Sequence, residues 1–278
     1  MERYPVNKII PFSSVDGPGN RTSVFLQGCN FNCRYCHNPE TRKLCINCGV
    51  CVPKCPVHAL SMVDGKVSFD YTKCVACDTC IKTCTHDASP RIRWMTPQEV
   101  FEEVKKQVPY IRGITTSGGE CTFYPDFLRE LFKLCKEIGL GALIDSNGSY
   151  DFSKDEELLD VCDGVMLDVK SWTAEDHHKV VDFSNEMVLR NLDFLAEKHK
   201  LYEVRTVVVP GLFDVEKTIR EVSEHIKNFP EVRYKIITYR PMGVREKYAV
   251  EMNPPKKDYM NRLKELSESI GVKTVVLV

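Results

Sequence analysis

The sequence predicts an α/β fold, an incomplete TIM-like (β/α)6 barrel with a small cysteine-rich domain inserted into it, and three observations carry that expectation. The chain has 278 residues, enough for one large domain plus an insert, and at this length it can bury roughly three quarters of its unfolded surface. Beyond residue 90, short apolar runs alternate with amphipathic stretches, the pattern of βα units around a parallel sheet. Of the 14 cysteines, most lie between Cys45 and Cys84, where Cys45, Cys48, Cys51 and Cys55 are repeated at a constant offset by Cys74, Cys77, Cys80 and Cys84. This internal duplication marks a separate module, so residues 40–89 are expected to form the insert and residues 1–39 and 90–278 the barrel.

The first barrel strand is expected at Val24–Gln27, just before the insert. The later strands fall at Gly113–Ser117, Gly141–Ile144, Gly164–Leu167, Glu203–Val209 and Tyr234–Thr238, with amphipathic helices after them. Thr96, Pro97 and Glu99 spell a capping box with proline at the first helical position, and Val100, Phe101, Val104 and Val108 supply its buried stripe. Phe127, Leu128, Leu131, Cys135 and Ile138 form a second stripe ended by Gly139, and Ser153 with Glu156 is expected to cap a third helix. Val215, Ile219, Val222, Ile226 and Phe229 mark a fourth, and Tyr259, Leu263, Leu266 and Ile270 a last one before Gly271. The insert offers few large apolar residues, among them Leu60, Met62, Val63, Phe69 and Tyr71, so by size alone it needs a metal or another staple.

Composition excludes several functions. With 38 basic and 39 acidic side chains the balance is near neutral, which argues against a polybasic nucleic-acid binder. Met1 to Phe12 lacks the apolar core of a signal peptide, and no stretch approaches the ~20 apolar residues that span a bilayer. A soluble, cytoplasmic monomer is expected, with neither nucleic acid nor membrane as partner. In a reducing compartment so many cysteines point to metal ligation rather than disulfides.

The insert reads Cys45-x2-Cys48-x2-Cys51-x3-Cys55-Pro56 and Cys74-x2-Cys77-x2-Cys80-x3-Cys84, the bacterial two-cluster ferredoxin run in which the fourth cysteine of each quartet ligates the other cluster. One [4Fe–4S] cluster should therefore take Cys45, Cys48, Cys51 and Cys84, and another Cys74, Cys77, Cys80 and Cys55. Thr85 stands where the second quartet would carry proline, which removes no ligand. A pair of structural zinc sites is the alternative, since Cys-x2-Cys pairs also suit tetrahedral zinc. Cys29-x3-Cys33-x2-Cys36 differs, because three thiolates leave one iron of a cluster without a protein ligand and free to bind substrate. A remote fourth cysteine, or zinc with an open position, is the alternative there.

Around that triplet stand Val15-Asp16-Gly17-Pro18-Gly19 before the strand and Tyr35-Cys36-His37-Asn38-Pro39 after it. The chain resembles, over essentially its whole length, the radical S-adenosylmethionine (SAM) enzymes that activate glycyl radical enzymes, and its insert resembles that of the YjjW-type activases. The resemblance implies three [4Fe–4S] clusters, the first held by Cys29, Cys33 and Cys36. It implies that Gly118, Gly119 and Glu120, in Ser117-Gly118-Gly119-Glu120, hold the methionyl amine of SAM. Glycines let backbone approach a ligand, and a carboxylate suits an ammonium. Asp145 and Ser146, in Asp145-Ser146-Asn147-Gly148, with Asp168 and the Met166 carbonyl, in Met166-Leu167-Asp168-Val169-Lys170, are then candidate ligands of a monovalent cation, Asp145 also touching SAM. Lys170 would meet the methionyl carboxylate, Arg205 is the active-site arginine of the fifth strand, and His37, beside Tyr35, would line the adenine pocket, with a structural role as the alternative. The family's sixth strand ends in an aromatic-histidine pair whose histidine touches the ribose, whereas this chain has Tyr239-Arg240, which makes Arg240 the candidate ribose contact. Asp16 is the candidate contact to a partner peptide, with capping of its own turn as the alternative.

These residues sit at the C-terminal ends of expected strands, the catalytic face of a βα barrel. The expected activity is reductive cleavage of SAM to a 5′-deoxyadenosyl radical, which takes a hydrogen from a backbone glycine in a loop of a partner glycyl radical enzyme. Flavodoxin or ferredoxin is the expected electron donor. Radical SAM chemistry on a small molecule, or a plain iron–sulfur electron carrier, are the alternatives. Cys135 and Cys162 are expected to be small buried hydrophobes, Cys121 to lie near the site without being a ligand, and His177 and His178 to be exposed polar residues.

Overall fold

The computed structural model describes residues 2–278. The chain opens with β1 (Tyr4–Ser13) and β2 (Arg21–Leu26), passes through β3 (Leu60–Val63), β4 (Lys66–Phe69) and α1 (Thr79–Thr83), and returns in β5 (Arg93–Met95) and α2 (Pro97–Lys105). There follow β6 (Gly113–Gly118), α3 (Pro125–Glu137), β7 (Gly141–Ser146), α4 (Glu156–Val161), β8 (Gly164–Asp168), α5 (Ala174–Val181) and α6 (Glu186–Glu197). The last elements are β9 (Leu201–Val208), α7 (Val215–Ile226), β10 (Arg233–Thr238), α8 (Glu246–Ala249), α9 (Lys257–Ile270) and β11 (Thr274–Leu277).

One sheet of nine strands runs in the order β11-β10-β9-β8-β7-β6-β2-β1-β5. The strands from β11 to β2 pair in parallel, and β1 and β5 add an antiparallel margin. All six expected strands are present and hold neighbouring places in the parallel run. Parallel neighbours need crossovers, and the crossovers are the amphipathic helices whose apolar stripes enter one continuous core. β1, β5 and β11 are additions to the expectation.

Local signals fix the helix starts. Thr96 accepts from Glu99 N while Glu99 accepts from Thr96 N, the full capping box, with Pro97 at the first position. Val100, Phe101 and Val104 are buried as expected, but α2 stops at Lys105 and Val108 falls in a separate turn. The third helix begins later than expected: Asp155, not Ser153, accepts from Leu158 N, and Ser153 lies in a short turn capped by Asp151. Asp155 is also held by Arg129 and the Tyr150 hydroxyl, ties a serine could not offer.

The cysteine-rich segment has its own β3–β4 hairpin and its own small core of Cys51, Leu60 and Cys80, flanked by Val52, Val67, Phe69 and Ile81. Met62, Val63 and Tyr71 are exposed, so fewer apolar residues are buried there than the sequence offers. The neck of the segment is closed by Lys43 N donating to Asp87 O and by an Arg42–Asp87 ion pair at 2.9 Å.

Candidate active site

The ladder between β2 and β6 continues past both strand ends. Gly119 N donates to Leu26 O and Glu120 N to Gly28 O, while Gly28 N and Cys29 N donate to Thr41 O and Arg42 O. This brings the start of the Cys29–Cys36 loop against the Gly118–Glu120 turn. Both glycines are required by backbone packing: a Cβ on Gly118 would lie 2.1 Å from Leu26 O, and one on Gly119 2.2 Å from Gly28 O. The sequence reading assigned them to ligand approach; the structure gives a packing reason at the same two positions.

A cavity of about 220 Å³ opens at these strand ends. Cys29, Cys33 and Cys36 line it together with Tyr35, Gly118, Gly119, Glu120, Asp145, Ser146, Asp168 and Lys170. Eleven of the residues the sequence selected thus meet at one place. A larger groove of about 1120 Å³ runs between the hairpin and β5, but it lacks this convergence of thiols with opposite charges.

Glu120 is 1 % exposed. Its Oε1 accepts from Thr122 N, Thr122 Oγ1 and Ser146 Oγ, and its Oε2 from Asn147 N at 2.6 Å. Burial still outweighs these donors and raises its pKa above the ordinary glutamate value. Lys170 Nζ lies 2.6 Å from Asp168 Oδ2 and 5.8 Å from the centre of the Tyr35 ring. Burial disfavours the lysine charge, but Asp168, Tyr35 and Cys33 together more than offset it, so Lys170 keeps its proton well beyond the usual lysine range. Burial likewise raises the thiols of the loop, Cys33 to about 12 and Cys29 further. A metal that binds the thiolate would displace these protons.

Arg205 lies below this floor. It contacts Asp145 at 2.9 Å and Glu203 at 2.7 Å, and its Nη2 is 2.8 Å from Met166 Sδ. Around it, Asp145 also accepts from Ser117 Oγ, Ser146 Oγ donates to Glu120, and Asp168 pairs with Lys170. Arg205 and Met166 are not part of the cavity lining, and neither are Arg240 and Asp16. Arg240 is exposed, and only its backbone oxygen reaches the loop, accepting from His37 Nε2 at 2.9 Å. The Asp16 carboxylate accepts from Ser13 and Ser23 hydroxyls, and its carbonyl accepts from Thr115 Oγ1, so it is tied down within its own turn.

The sequence reading missed Asn147, Asn30 and Arg245. Asn147 donates to Glu120 from its backbone, and its Nδ2 donates to Asn30 Oδ1 and lies 3.7 Å from Cys29 Sγ. Its place in Asp145-Ser146-Asn147-Gly148 was the available signal. Arg245 had none, being more than two hundred residues from its partners Asn32 and Cys33. His177 was expected to be exposed and is fully buried, its Nδ1 2.8 Å from Phe183 O and its ring edge-on to Phe31. An amphipathic α5 turns it inward, while His178 stays outside. Cys121, Cys135 and Cys162 are buried, as expected.

In the cysteine-rich segment, a cavity of about 60 Å³ is lined by Cys45, Cys48, Cys51 and Cys84, and another of about 20 Å³ by Cys55, Cys74, Cys77 and Cys80. The fourth cysteine of each quartet thus sits with the other quartet. Among the described residues no three such side chains converge as the ligands of a single ion do. A cubane, which takes one thiolate at each corner, does not require that they should.

Residues 23–222 match the model of the Radical SAM superfamily. A pyruvate formate-lyase-activating enzyme of Streptococcus mutans is 31% identical over 94% of this chain and 89% of its own length. A pyruvate formate-lyase 1-activating enzyme of Escherichia coli is 30% identical over 97% of this chain and 98% of its own. A (2S)-3-sulfopropanediol sulfolyase activating enzyme of Bilophila wadsworthia is 32% identical over 94% and 89%. Among solved structures, a domain of a pyruvate-formate lyase-activating enzyme from Bacteroides vulgatus has a TM-score of 0.51 at 23% identity, covering 60% of this chain and 98% of that one. Streptococcus suis SuiB bound to the precursor peptide SuiA has 0.58 at 10% identity, covering 91% and 47%. These two likenesses bear on the fold alone. Among the described residues no helix is long and apolar enough to cross a membrane. A superfamily match over most of the chain, joined to near full-length similarity to activating enzymes, defines the family: the chain belongs to the radical SAM superfamily, among the enzymes that activate glycyl radical enzymes.

Proposed function

We propose that the chain cleaves SAM reductively at a [4Fe–4S] cluster held by Cys29, Cys33 and Cys36 and abstracts a hydrogen from a backbone glycine of a partner enzyme. The observation that carries this reading is the single cavity in which three cysteines, the Glu120 carboxylate and the Lys170 ammonium meet. The family implies one [4Fe–4S] cluster and SAM, and the residues fit both. Three thiols leave one iron of a cubane open, opposite charges suit a zwitterionic amino acid, and the buried Tyr35 hydroxyl has no partner among the described residues. When bound, the cluster and SAM supply the radical chemistry, yielding methionine and a 5′-deoxyadenosyl radical.

The residues bind and orient. Glu120 Oε2, with a single hydrogen bond, has room for an ammonium, whereas Oε1 is occupied by three donors. Lys170 spends one N–H on Asp168 and keeps two for a carboxylate. Arg205 fixes Asp145 from beneath the floor. No side chain is needed as acid or base for abstraction of a hydrogen atom. In our reading the parallel run is a partial (β/α)6 barrel made by residues 1–39 and 90–278, open at its side to admit a glycine-bearing loop. Asp16 is kept as the candidate peptide contact, Arg240 as the candidate ribose contact, and Asp145, Ser146, Asp168 and the Met166 carbonyl as candidates for a monovalent cation.

Residues 40–89 form, in this reading, a YjjW-type ferredoxin-like domain with two closed [4Fe–4S] clusters. The division of eight cysteines between two small cavities, each mixing the quartets, supports the crossed ligand sets. Their role is to pass electrons from flavodoxin or ferredoxin to the site of a monomeric enzyme. The test is anaerobic incubation of reconstituted protein with SAM, reductant and a candidate glycyl radical enzyme, read by electron paramagnetic resonance. A glycyl radical on the partner is expected. Its absence, with a small molecule instead accelerating 5′-deoxyadenosine release, would move the chain to small-molecule radical chemistry.

A further inference from the structure

The segment after β10 clasps the cysteine loop. A Cβ on Gly243 would lie 2.3 Å from His37 O, so chain and loop touch there backbone to backbone, and the φ of +81° at Gly243 also calls for glycine. Two residues on, Arg245 spends its guanidinium on both sides of the contact. Its Nη1 donates to Asn32 Oδ1 at 2.7 Å and to Asp87 Oδ2 at 3.2 Å, and its Nη2 donates to Cys33 O at 2.8 Å and to Asn32 O at 3.4 Å. The Tyr248 ring stacks at 4.9 Å. A guanidinium has five N–H groups; four are placed, and the fifth, at Nε, is buried without an acceptor among the described residues. Arg245 lines the site cavity.

The charge count is the informative part. Asp87 Oδ2 is shared by Arg42 at 2.9 Å and Arg245 at 3.2 Å, two cations on one carboxylate. A positive charge is left over, with the Arg245 side chain 12% exposed, against the carbonyls of a loop that carries three cysteines. Buried charge is costly unless compensated, and thiolates on a cluster are the anions the loop can offer.

We infer that Arg245 is a positioning residue that locks the Cys29–Cys36 loop to the neck of the cysteine-rich segment and, through its uncompensated charge, raises the reduction potential of the cluster bound there. The inference rests on the proposed site cluster. A nearby cation stabilises the reduced, more negative state, and charge and hydrogen bonding are among the determinants of cluster potential. Asp87 has the opposite effect, because it cancels part of that charge. Neither residue is a ligand.

The test is a redox titration of the reconstituted protein, following the cluster signal that responds to SAM, in wild type, Arg245→Met, Arg245→Lys and Asp87→Asn. Asp87 sits at φ +50°, a conformation asparagine tolerates, so the last variant keeps the backbone. Arg245→Met should shift the SAM-responsive signal to more negative potential, Asp87→Asn should shift it to more positive potential, and Arg245→Lys should restore most of the wild-type value. In the Arg245 variants, signals that ignore SAM should move less than the SAM-responsive one. An unchanged potential in Arg245→Met, or shifts of the same sign in Arg245→Met and Asp87→Asn, overturns the inference. If Arg245→Met loses the cluster, the lysine and asparagine variants decide it alone. A wild-type protein with no SAM-responsive signal would instead reject the proposed site cluster itself, a distinct outcome.

Discussion

The molecule holds its cysteines in two regions that treat them differently. In the Cys29–Cys36 loop, three thiols share a cavity of about 220 Å³ with a carboxylate, an ammonium and a tyrosine hydroxyl that has no partner among the described residues. In the cysteine-rich segment, two quartets enclose about 60 and 20 Å³. The charged pair lining the smaller of these, Asp78 and Arg91, is spent on itself at 2.7 Å. Space and unspent polar groups, more than cysteine number, separate the two regions.

The sharpest way to break this comparison is to remove one region's thiols. Full reconstitution should give about twelve irons per chain, from eleven thiolates and one open iron. Replacing Cys29, Cys33 or Cys36 by alanine should abolish SAM cleavage and leave about eight irons with their sulfide. Loss of every cluster together would erase the distinction between the regions, and zinc in place of iron and sulfide would refute both.

Next in size is the charge clamp. Glu120→Ala and Lys170→Ala should each weaken SAM about tenfold or more, since a charge-assisted hydrogen bond contributes roughly 1.5–3 kcal/mol. Calorimetric titration measures this, and unchanged affinity in both variants rejects the clamp. The same carboxylate sets a pH dependence. Burial raises the Glu120 pKa, so as pH falls through that raised value the group takes a proton and loses its hold on the ammonium. SAM affinity should therefore decline on acidification at a pH above the ordinary glutamate range, and Glu120→Gln should bind weakly at every pH without that step.

Smaller effects sharpen the other side. Cys48 and Cys77 are the exposed members of their quartets, where a donor protein can approach. Their alanine variants should slow turnover with a protein electron donor several-fold while leaving SAM affinity near wild type. A matching loss of SAM binding in a folded variant would assign the segment to the site. Smallest is Asp16→Asn, which should impair radical installation on the partner more than uncoupled SAM cleavage. Equal effects on both would leave Asp16 its hydrogen bonds to Ser13 and Ser23 as its whole role.

What the sequence made legible follows from the range of each signal. Parallel strands buried on both faces are apolar runs, and the Thr96–Glu99 box is complete within four residues, so both could be read directly. β1 escaped because Pro5 and Pro11 interrupt it, a pattern suited to strands near a sheet margin, and β5 because three residues carry no period. At the site, cysteine spacing and the Gly118–Glu120 turn are local, and their residues converge in the cavity. Arg240 and Arg245 show the limit. Both follow the same strand, and only the path of the chain over His37 decides that one side chain faces solvent while the other reaches the cysteine loop.

The central claim is that one cluster is open to SAM and two are closed. Electron paramagnetic resonance of the reduced, reconstituted protein before and after addition of SAM measures this directly. The account predicts that one of three cluster signals changes on binding, that the change is absent when Cys33 is alanine, and that the remaining two signals are unaltered. A change in all three signals, or in none, would contradict it.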